Sequence, residues 1–246
     1  MTHQQAAANN QTSPAIHVRV PAVNRILQQL LPPERAKLDA VLQPVSFGLG
    51  DVVCETSERE YVYFPTSAVV SSLYTTEDGA TTEMFLVGND GVVGVSSFLG
   101  GGDTPMQDVV VVGGDALRMK SRALRDEFRL GGALQASLLR YTHALITQIS
   151  QTAVCNRLHA VEQRLCRWLL MCRDRVDGDE LVMTQEFISN MLGGRRESVT
   201  VAAGRLQDAG VIHYSRGHIT IVDRKGLEAI ACECYLVVES AVAELA

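Results

Sequence analysis

One stretch near the C-terminal end holds residue types that can recognise the edges of nucleic-acid bases. Arg196 and Glu197 stand side by side and are followed by Thr200 and Val201. An arginine can donate two parallel hydrogen bonds to guanine, a glutamate can accept one from the amino group of cytosine, and an apolar side chain can pack on the thymine methyl group. We expect these four residues to contact base edges in double-stranded DNA.

Basic and hydroxyl side chains around this stretch suit the DNA backbone. We expect Thr184, Arg195, Arg205 and Arg216 to contact phosphates, which sets register without reading sequence. The whole chain has a net charge of −6, but residues 1–120 hold seven Lys and Arg against thirteen Asp and Glu, whereas residues 184–225 hold six against four. A locally basic segment behind an acidic front half is compatible with one module that touches DNA.

Local signals predict two helices that position these residues. Thr184 is a good N-cap for a short helix that Gly193-Gly194 would end. A second helix is predicted at about Arg196 to Asp208, with Gly210 as its C-terminal stop. The inward face of the second helix, at 100° per residue, would consist of Val199, Ala202, Ala203 and Leu206.

A hairpin is predicted directly after the second helix. Val211 to Tyr214 and His218 to Val222 are alternating, β-branched stretches around Ser215-Arg216-Gly217. An ordinary solvated helix would also expose Arg and Glu, so the hairpin is what favours DNA binding. Helix, glycine turn, helix and hairpin in this order outline a winged helix-turn-helix.

The front half of the sequence has a different period. Short segments rich in Val, Tyr, Phe and Thr alternate with turn signals such as Asp78-Gly79 and Asn89-Asp90-Gly91. Such closely spaced strands predict an antiparallel barrel or sandwich. The clearest segments are Tyr61 to Phe64, Ala68 to Thr75, Thr81 to Val87 and Asp108 to Val112.

A long helix is predicted between these two parts. Its apolar residues recur at spacings of four, three, four and four, which gives one stripe. We predict that the stripe contacts a second copy of the chain and forms a homodimer; packing on the chain's own barrel is the alternative. The stripe consists of Leu134, Leu138, Tyr141, Leu145 and Ile149.

The order of these elements resembles the CRP/FNR superfamily of bacterial transcription regulators. The resemblance runs from about Leu30 to Asp223 and is strongest over residues 184–200, which include the Arg196-Glu197 pair. It implies an α+β fold with an N-terminal antiparallel β-barrel of the cyclic-nucleotide-binding type, a long dimerisation helix and a C-terminal winged helix-turn-helix. The expected bounds are a disordered leader at residues 1–20, a β-barrel sensor domain at 21–120, a linker and dimerisation helix at 121–156, and a DNA-binding domain at 157–246.

Several positions depart from the family pattern. Where relatives that bind cyclic AMP carry a Gly-Glu and an Arg-Ser or Arg-Thr pair, this chain has Gly94-Val95 and Met106-Gln107, so nothing offsets burial of a phosphate anion. Residues 1–53 contain no cysteine, which argues against the iron–sulfur cluster of the oxygen-sensing relatives, and no cofactor is expected. Many relatives have an arginine where this chain has Val201, so its DNA half-site should differ.

The six cysteines, at positions 54, 155, 166, 172, 232 and 234, give no metal motif by spacing. Cys232 and Cys234 are close in sequence, but two ligands fall short of the four of a structural zinc site. No metal site is therefore predicted. Cys166 and Cys172 are expected to behave as small buried hydrophobic residues.

Other classes of protein are less well supported. The sequence has no phosphate-binding glycine loop, metal-ligand cluster or nucleophile motif, so it is not predicted to be an enzyme. An adaptor that uses the barrel for ligand or protein binding, without DNA, remains the alternative. The expected location is the cytoplasm, because the apolar runs are far too short to cross a membrane and no secretory signal is evident. RNA polymerase would be a further partner if the protein activates transcription.

Overall fold

The computed structural model describes residues 23–54, 60–101 and 105–245. The predicted leader at residues 1–20 lies outside these ranges. The helices are α1 Arg25–Gln28, α2 Pro32–Asp39, α3 Ser96–Leu99, α4 Ser121–Leu130, α5 Gly132–Leu158, α6 Val161–Arg173, α7 Gln185–Leu192, α8 Arg196–Asp208, α9 Arg224–Ile230 and α10 Cys234–Ala243. The strands are β1 Gln43–Phe47, β2 Val52–Cys54, β3 Tyr61–Pro65, β4 Val69–Thr75, β5 Thr81–Val87, β6 Met106–Val112, β7 Gly114–Lys120, β8 Glu180–Val182, β9 Ile212–Ser215 and β10 His218–Ile221.

The front half is built from two antiparallel sheets, with strand orders β1-β7-β3 and β2-β6-β4-β5. The period-two pattern of β3 places Val62 and Phe64 in the interior, where both are fully buried. They pack with Val70, Val87 and Val110 from the other sheet in one apolar cluster, called here the front core. The predicted antiparallel β unit, and with it the α+β fold class, is confirmed.

The long helix α5 follows α4 after a sharp break. Gly131 and Gly132 have φ angles of 81° and 87°, a conformation that only glycine adopts without strain. The chain can therefore turn within two residues and lay α5 against the front core.

The predicted dimer stripe lies on the wrong face of α5. Leu134, Leu138, Tyr141 and Leu145 are at most 6% exposed within the single chain, and Ile149 packs against the same cluster. These side chains are covered by the chain's own front core and α1, so they are not a surface for a second copy. The alternative, packing on the chain's own barrel, accounts for this stripe.

A second stripe, shifted by one residue, is the exposed one. Leu139 and Ile146 are 49% and 59% exposed, and Ala153 continues the row seven residues further on. We call these three residues the outer stripe. A spacing of seven is that of a two-helix seam. The sequence showed the longer row because the inward face of α5 is the more apolar one.

The rear part of the chain is organised around α6. Buried residues of α6, including Leu165, Trp168 and Leu169, pack with α7, α8, α9 and the sheet of order β8-β10-β9. This rear core also contains Val69, Leu73, Leu86 and Val111 from the front sheets. The two halves of the chain therefore share an apolar interface.

A buried ion pair crosses this junction. Arg175, just after α6, contacts Asp90 through two hydrogen bonds, at 2.7 Å from Nη2 and 3.2 Å from Nε, and both side chains are 5% exposed. Gly88 makes room for the aliphatic part of the Arg175 side chain, since a Cβ atom at this position would lie 2.6 Å from Arg175 Cγ. The paired fork geometry satisfies both charges away from water.

The last helix, α10, bridges the two cores. Tyr235 and Val238 pack in the rear core, and Leu245, just beyond the helix, packs in the front core. Among the helices described, none has the length and apolar character needed to cross a lipid bilayer.

Candidate nucleic-acid interface

The first helix of the predicted helix-turn-helix has the expected ends. The Thr184 hydroxyl accepts a hydrogen bond from the Phe187 amide at 3.2 Å, which caps α7. At the other end Gly193 is left-handed, with φ 58° and ψ 36°, and closes the helix. Ile188, Met191 and Leu192 face the rear core.

The second helix, α8, spans Arg196–Asp208 as predicted. Its inward residues Val199, Ala202, Ala203 and Leu206 are at most 4% exposed. The two alanines let α8 lie close to α6 and α7. The opposite arc of α8 is open to solvent along its length.

All four predicted base-reading residues lie on that open arc. Arg196, Glu197, Thr200 and Val201 are exposed, and Val201 is an apolar side chain with 55% of its surface in water. Gly204 continues the arc one turn later, with no heavy atom within 4 Å of the position a Cβ would take. The exposed arc of α8, called here the recognition surface, therefore has small side chains in its middle and polar side chains at its N-terminal end. Such a surface can lie close to the base edges in a DNA groove.

Gln185 also belongs to this surface, although it is not among the residues predicted from the sequence. The Thr200 hydroxyl donates to Gln185 Oε1 at 2.7 Å and lies 3.0 Å from the Arg196 carbonyl oxygen. Gln185 is the first residue of α7, directly after the cap, and its free amide NH2 group can donate toward a phosphate or a base. The sequence offered one indication of its role, which is its position directly after Thr184, a predicted helix cap and phosphate contact.

The predicted phosphate contacts surround this arc. In the described part of the chain, the guanidinium groups of Arg195, Arg196 and Arg216 form neither an ion pair nor a hydrogen bond to another side chain. Arg216 sits at the turn between β9 and β10 with a φ of 51°. Three unpaired cations on one surface attract an anion because no carboxylate neutralises them.

Arg205 differs from the other three arginines. Its Nη1 lies 3.3 Å from Glu162 Oε2 at the start of α6. A phosphate would have to compete with that carboxylate, although the Arg205 side chain is 68% exposed. Its role as a phosphate contact stays a prediction.

Tyr214 fixes the β9–β10 hairpin, called here the wing, to α8 and to Met183, the residue after β8. The Tyr214 amide donates to Gln207 Oε1 at 2.8 Å, and the Tyr214 hydroxyl lies 3.4 Å from the Met183 carbonyl oxygen. Burial raises the pKa of the Tyr214 phenol, so it stays protonated and can donate. These contacts hold the hairpin turn with Arg216 beside the recognition surface.

The front sheets support the helix-turn-helix from behind. A Cβ on Gly193 would lie 2.9 Å from Thr82 Oγ1 in β5, so the turn and the β4–β5 hairpin are in close contact. Trp168 in α6 donates to Glu83 Oε2 at 2.9 Å, and Ser71 donates to the same oxygen at 2.8 Å. The orientation of the recognition surface thus depends on the front half.

Val95 and Met106, which are expected to stand where relatives that bind cyclic AMP have charged residues, are apolar packing positions. Val95 directly precedes α3, and Met106 begins β6. Both are partly buried and pack against the front core. Neither can balance the charge of a phosphate.

Comparison with known families and structures agrees with this geometry. Residues 163–230 match the family of Crp-like helix-turn-helix domains. No curated protein sequence matches the chain.

Solved structures share the arrangement over most of the chain. A protein described as a transcriptional regulator of the crp/fnr family, from Eubacterium rectale, is 16% identical, with a TM-score of 0.65 over 83% of this chain and 96% of that one. FixK2 from Bradyrhizobium japonicum is 18% identical, with a TM-score of 0.66 over 78% and 98%. The c-di-GMP responsive regulator CLP from Xanthomonas campestris is 16% identical, with a TM-score of 0.56 over 77% and 98%.

Proposed function

We propose that this chain, which has the fold of CRP/FNR regulators and a Crp-like helix-turn-helix domain at residues 163–230, is a sequence-specific DNA-binding transcription regulator. The observation that carries the proposal is the open arc of α8, with Arg196 and Glu197 at its N-terminal end, unpaired Arg195 directly before it and unpaired Arg216 in the turn of the hairpin that follows. An adaptor that contacts only proteins does not require exposed arginines without carboxylate partners around a helix face with small side chains.

The residues divide into two kinds of contact. Arg196 and Glu197 would read base edges in the major groove, and Val201 would pack on a thymine methyl group. Arg195 and Arg216 would hold phosphates on either side and so fix the helix in the groove. Gln185, hydrogen-bonded to Thr200, would connect the two sets.

The proposed DNA-binding unit is a homodimer formed through the outer stripe of α5. Leu139, Ile146 and Ala153 repeat every seven residues on the exposed face, the spacing at which two helices meet in a seam. Two α8 helices related by a twofold axis would read two half-sites about 10 base pairs apart, centre to centre.

The DNA proposal is tested by selecting binding sites from a randomised duplex pool. We expect the wild-type chain to enrich a twofold symmetric sequence. Arg196→Ala and Glu197→Ala should each lose preference at one position of every half-site, because one base-edge contact is gone. Arg122→Ala is the matched control, since it removes an exposed arginine from α4 in the front half and should leave the selected sequence unchanged. Binding without enrichment, or no binding, would favour the adaptor.

The dimer proposal is tested by analytical ultracentrifugation. We expect Leu139→Asp with Ile146→Asp to give folded monomers, because a charge in the seam is not compensated. The neighbouring change Leu138→Asp should instead unfold the chain, because Leu138 lies in the front core. A folded dimer from the outer-stripe double variant would exclude this seam.

Cyclic AMP and cyclic GMP are not proposed as effectors. Val95 and Met106 are apolar where a carboxylate and a guanidinium would be needed. Calorimetry with millimolar nucleotide should give no saturable heat. Micromolar binding that also changes DNA affinity would contradict this.

A further inference from the structure

Two pairs of side chains that are far apart in sequence, Cys155 with His159 and Cys232 with Cys234, meet at the C-terminal end of α5. Cys155 lies in the last turn of α5 and His159 follows that helix, whereas Cys232 lies between α9 and α10 and Cys234 is the first residue of α10. We call them the Cys3His cluster. One ligand atom from each lies within 4.8 Å of all the others. The three cysteines are at most 3% exposed.

The spacing of these atoms fits a single tetrahedral metal ion. Zn–S bonds of about 2.3 Å and Zn–N bonds of about 2.0 Å put neighbouring ligand atoms about 3.5 to 3.8 Å apart around one tetrahedral ion. Here Cys155 Sγ and Cys232 Sγ are 3.5 Å apart, and Cys234 Sγ and His159 Nδ1 are also 3.5 Å apart. A two-iron cluster would divide its ligands between two metal atoms and separate them more widely. The compact arrangement therefore favours a mononuclear site.

The histidine is oriented as a metal-bound histidine usually is. Its Nδ1 faces the thiols, while its Nε2 lies 3.4 Å from Glu233 Oε1. Metal-ligating histidines almost always donate their second ring N–H to a carboxylate, carbonyl or water, which fixes the tautomer. Glu233 is the residue between the two cysteines of the Cys232–Cys234 pair, so a single short segment supplies two ligands and the carboxylate partner.

A buried arginine balances the charge that such a site would have. Three thiolates and a neutral imidazole around a divalent ion leave one net negative charge. Arg167 of α6 is 6% exposed. Its Nη2 donates at 2.9 Å to the hydroxyl of Thr152, three residues before Cys155 in α5, and its Nε has no hydrogen-bond partner among the residues described. A buried cation beside a buried anionic centre offsets the cost of burying both.

We propose that the Cys3His cluster binds one structural Zn²⁺ ion per chain. Four protein ligands close the coordination sphere and leave no position for a substrate. The ion would tie the end of α5 to the α9–α10 segment and fix the His159–Ala160 connection into α6. Since α10 packs in both cores, the ion would hold the two halves of the chain in their relative positions. This inference does not depend on DNA binding.

Metal analysis of the full-length chain, prepared without a metal-affinity tag, is the first test. We expect about one zinc and no iron per chain. After removal of zinc, addition of Co²⁺ should give the strong visible bands and the thiolate-to-cobalt charge transfer of a tetrahedral thiolate site. A chain that carries no zinc and gives no cobalt spectrum would overturn the proposal.

Variants then locate the site. Cys155→Ala and Cys234→Ala should each lose the zinc, whereas Cys172→Ala, a buried cysteine of α6 outside the cluster, should keep one equivalent. Glu233→Ala removes only an exposed carboxylate and should fold; we expect about a 10- to 100-fold loss of Zn²⁺ affinity, measured by chelator competition. Unchanged affinity in Glu233→Ala together with zinc retained in Cys234→Ala would contradict the assignment.

Two other chemistries are distinguished by the same samples. An iron–sulfur cluster would show iron, sulfide and visible absorption in the purified chain. A Cys155–Cys232 disulfide, whose sulfur atoms would have to approach from 3.5 Å to about 2.05 Å, would show as a linked peptide in mass spectrometry of freshly prepared protein. Either result would replace the zinc proposal.

Discussion

Arginines in two regions of this molecule lie in opposite environments. At the junction of the two halves, Arg175 is 5% exposed on its side chain and holds Asp90 with two hydrogen bonds. On the recognition surface, Arg195, Arg196 and Arg216 are exposed and have no carboxylate partner within the described ranges. The first arginine contributes to holding the fold, and the others are available to an external anion.

The two kinds of arginine should differ in what their removal does to the folded protein. Without Arg175, a carboxylate would remain buried and uncompensated, which is costly. Without Arg196, only water would take its place in the free protein, so the folded state would be little affected. We therefore expect changes at the junction to act on stability and changes at the recognition surface to act on DNA binding.

Arg175→Ala should have the largest effect. We expect the free energy of unfolding to fall by about 3 to 5 kcal/mol, because Asp90 loses its buried partner. Urea denaturation followed by circular dichroism measures it. The matched control is Arg173→Ala at the end of α6. Its pair with Asp179 is 2.8 Å long, but the two side chains are 32% and 52% exposed, so the pair should contribute at most about 1 kcal/mol. Equal losses in the two variants would remove the distinction between the regions.

Arg196→Lys should have the next largest effect, on DNA alone. Lysine keeps the charge but not the planar fork, so it cannot make the paired hydrogen bonds to guanine. We expect about 1 to 3 kcal/mol weaker binding to the selected site in fluorescence polarisation, with unchanged binding to random DNA and an unchanged unfolding curve. A variant that binds both DNAs as the wild type does would place the base-reading residue elsewhere.

Glu83, which lies near Arg175, makes the stability of the junction depend on pH. Burial raises the pKa of this carboxyl, although Trp168 and Ser71 donate to it and Arg167 and Arg175 lie near. Above the pKa that Glu83 has in the unfolded chain, the native state therefore binds more protons than the unfolded state. As the pH rises toward the pKa of Glu83 in the folded chain, this group lowers the free energy of unfolding by at most about 1.4 kcal/mol per pH unit. Glu83→Gln should reduce the loss of unfolding free energy between pH 5 and pH 8. An identical loss in both proteins would show that Glu83 does not titrate there.

Arg216→Ala should have the smallest effect. Loss of one phosphate contact per subunit should weaken cognate and random DNA alike, and should lower the slope of log affinity against log salt by about 1 per subunit. Binding titrations at several salt concentrations measure the slope. Loss of preference for the cognate site would instead mean that the wing reads bases.

Much of the candidate site could be predicted because its signals are local. Thr184, Gly193 and the Arg216 turn each specify a cap or turn within a few residues, and the structure has α8 at the predicted bounds, Arg196–Asp208. The resemblance to CRP/FNR regulators, read from the same stretch, is confirmed by the domain match and the fold. Gln185 was missed because its hydrogen bond to Thr200 joins two helices.

The sequence by itself determined the two helices of the helix-turn-helix and the hairpin after them, and where the exposed cations and the proposed base-reading side chains stand along α8. Only the tertiary structure decided which face of α5 stays free. Both the face with Leu138 and the face with Leu139 carry apolar residues, and only the packing shows that the front core covers Leu138. The tertiary structure also brought Cys155 and Cys232 together across 77 positions. The physical reason is the range of each signal. Periodicity and capping depend on residues within a few turns of one another. Burial and ligand clusters depend on contacts between distant segments, and the number of residues between two segments does not indicate how close they lie in space.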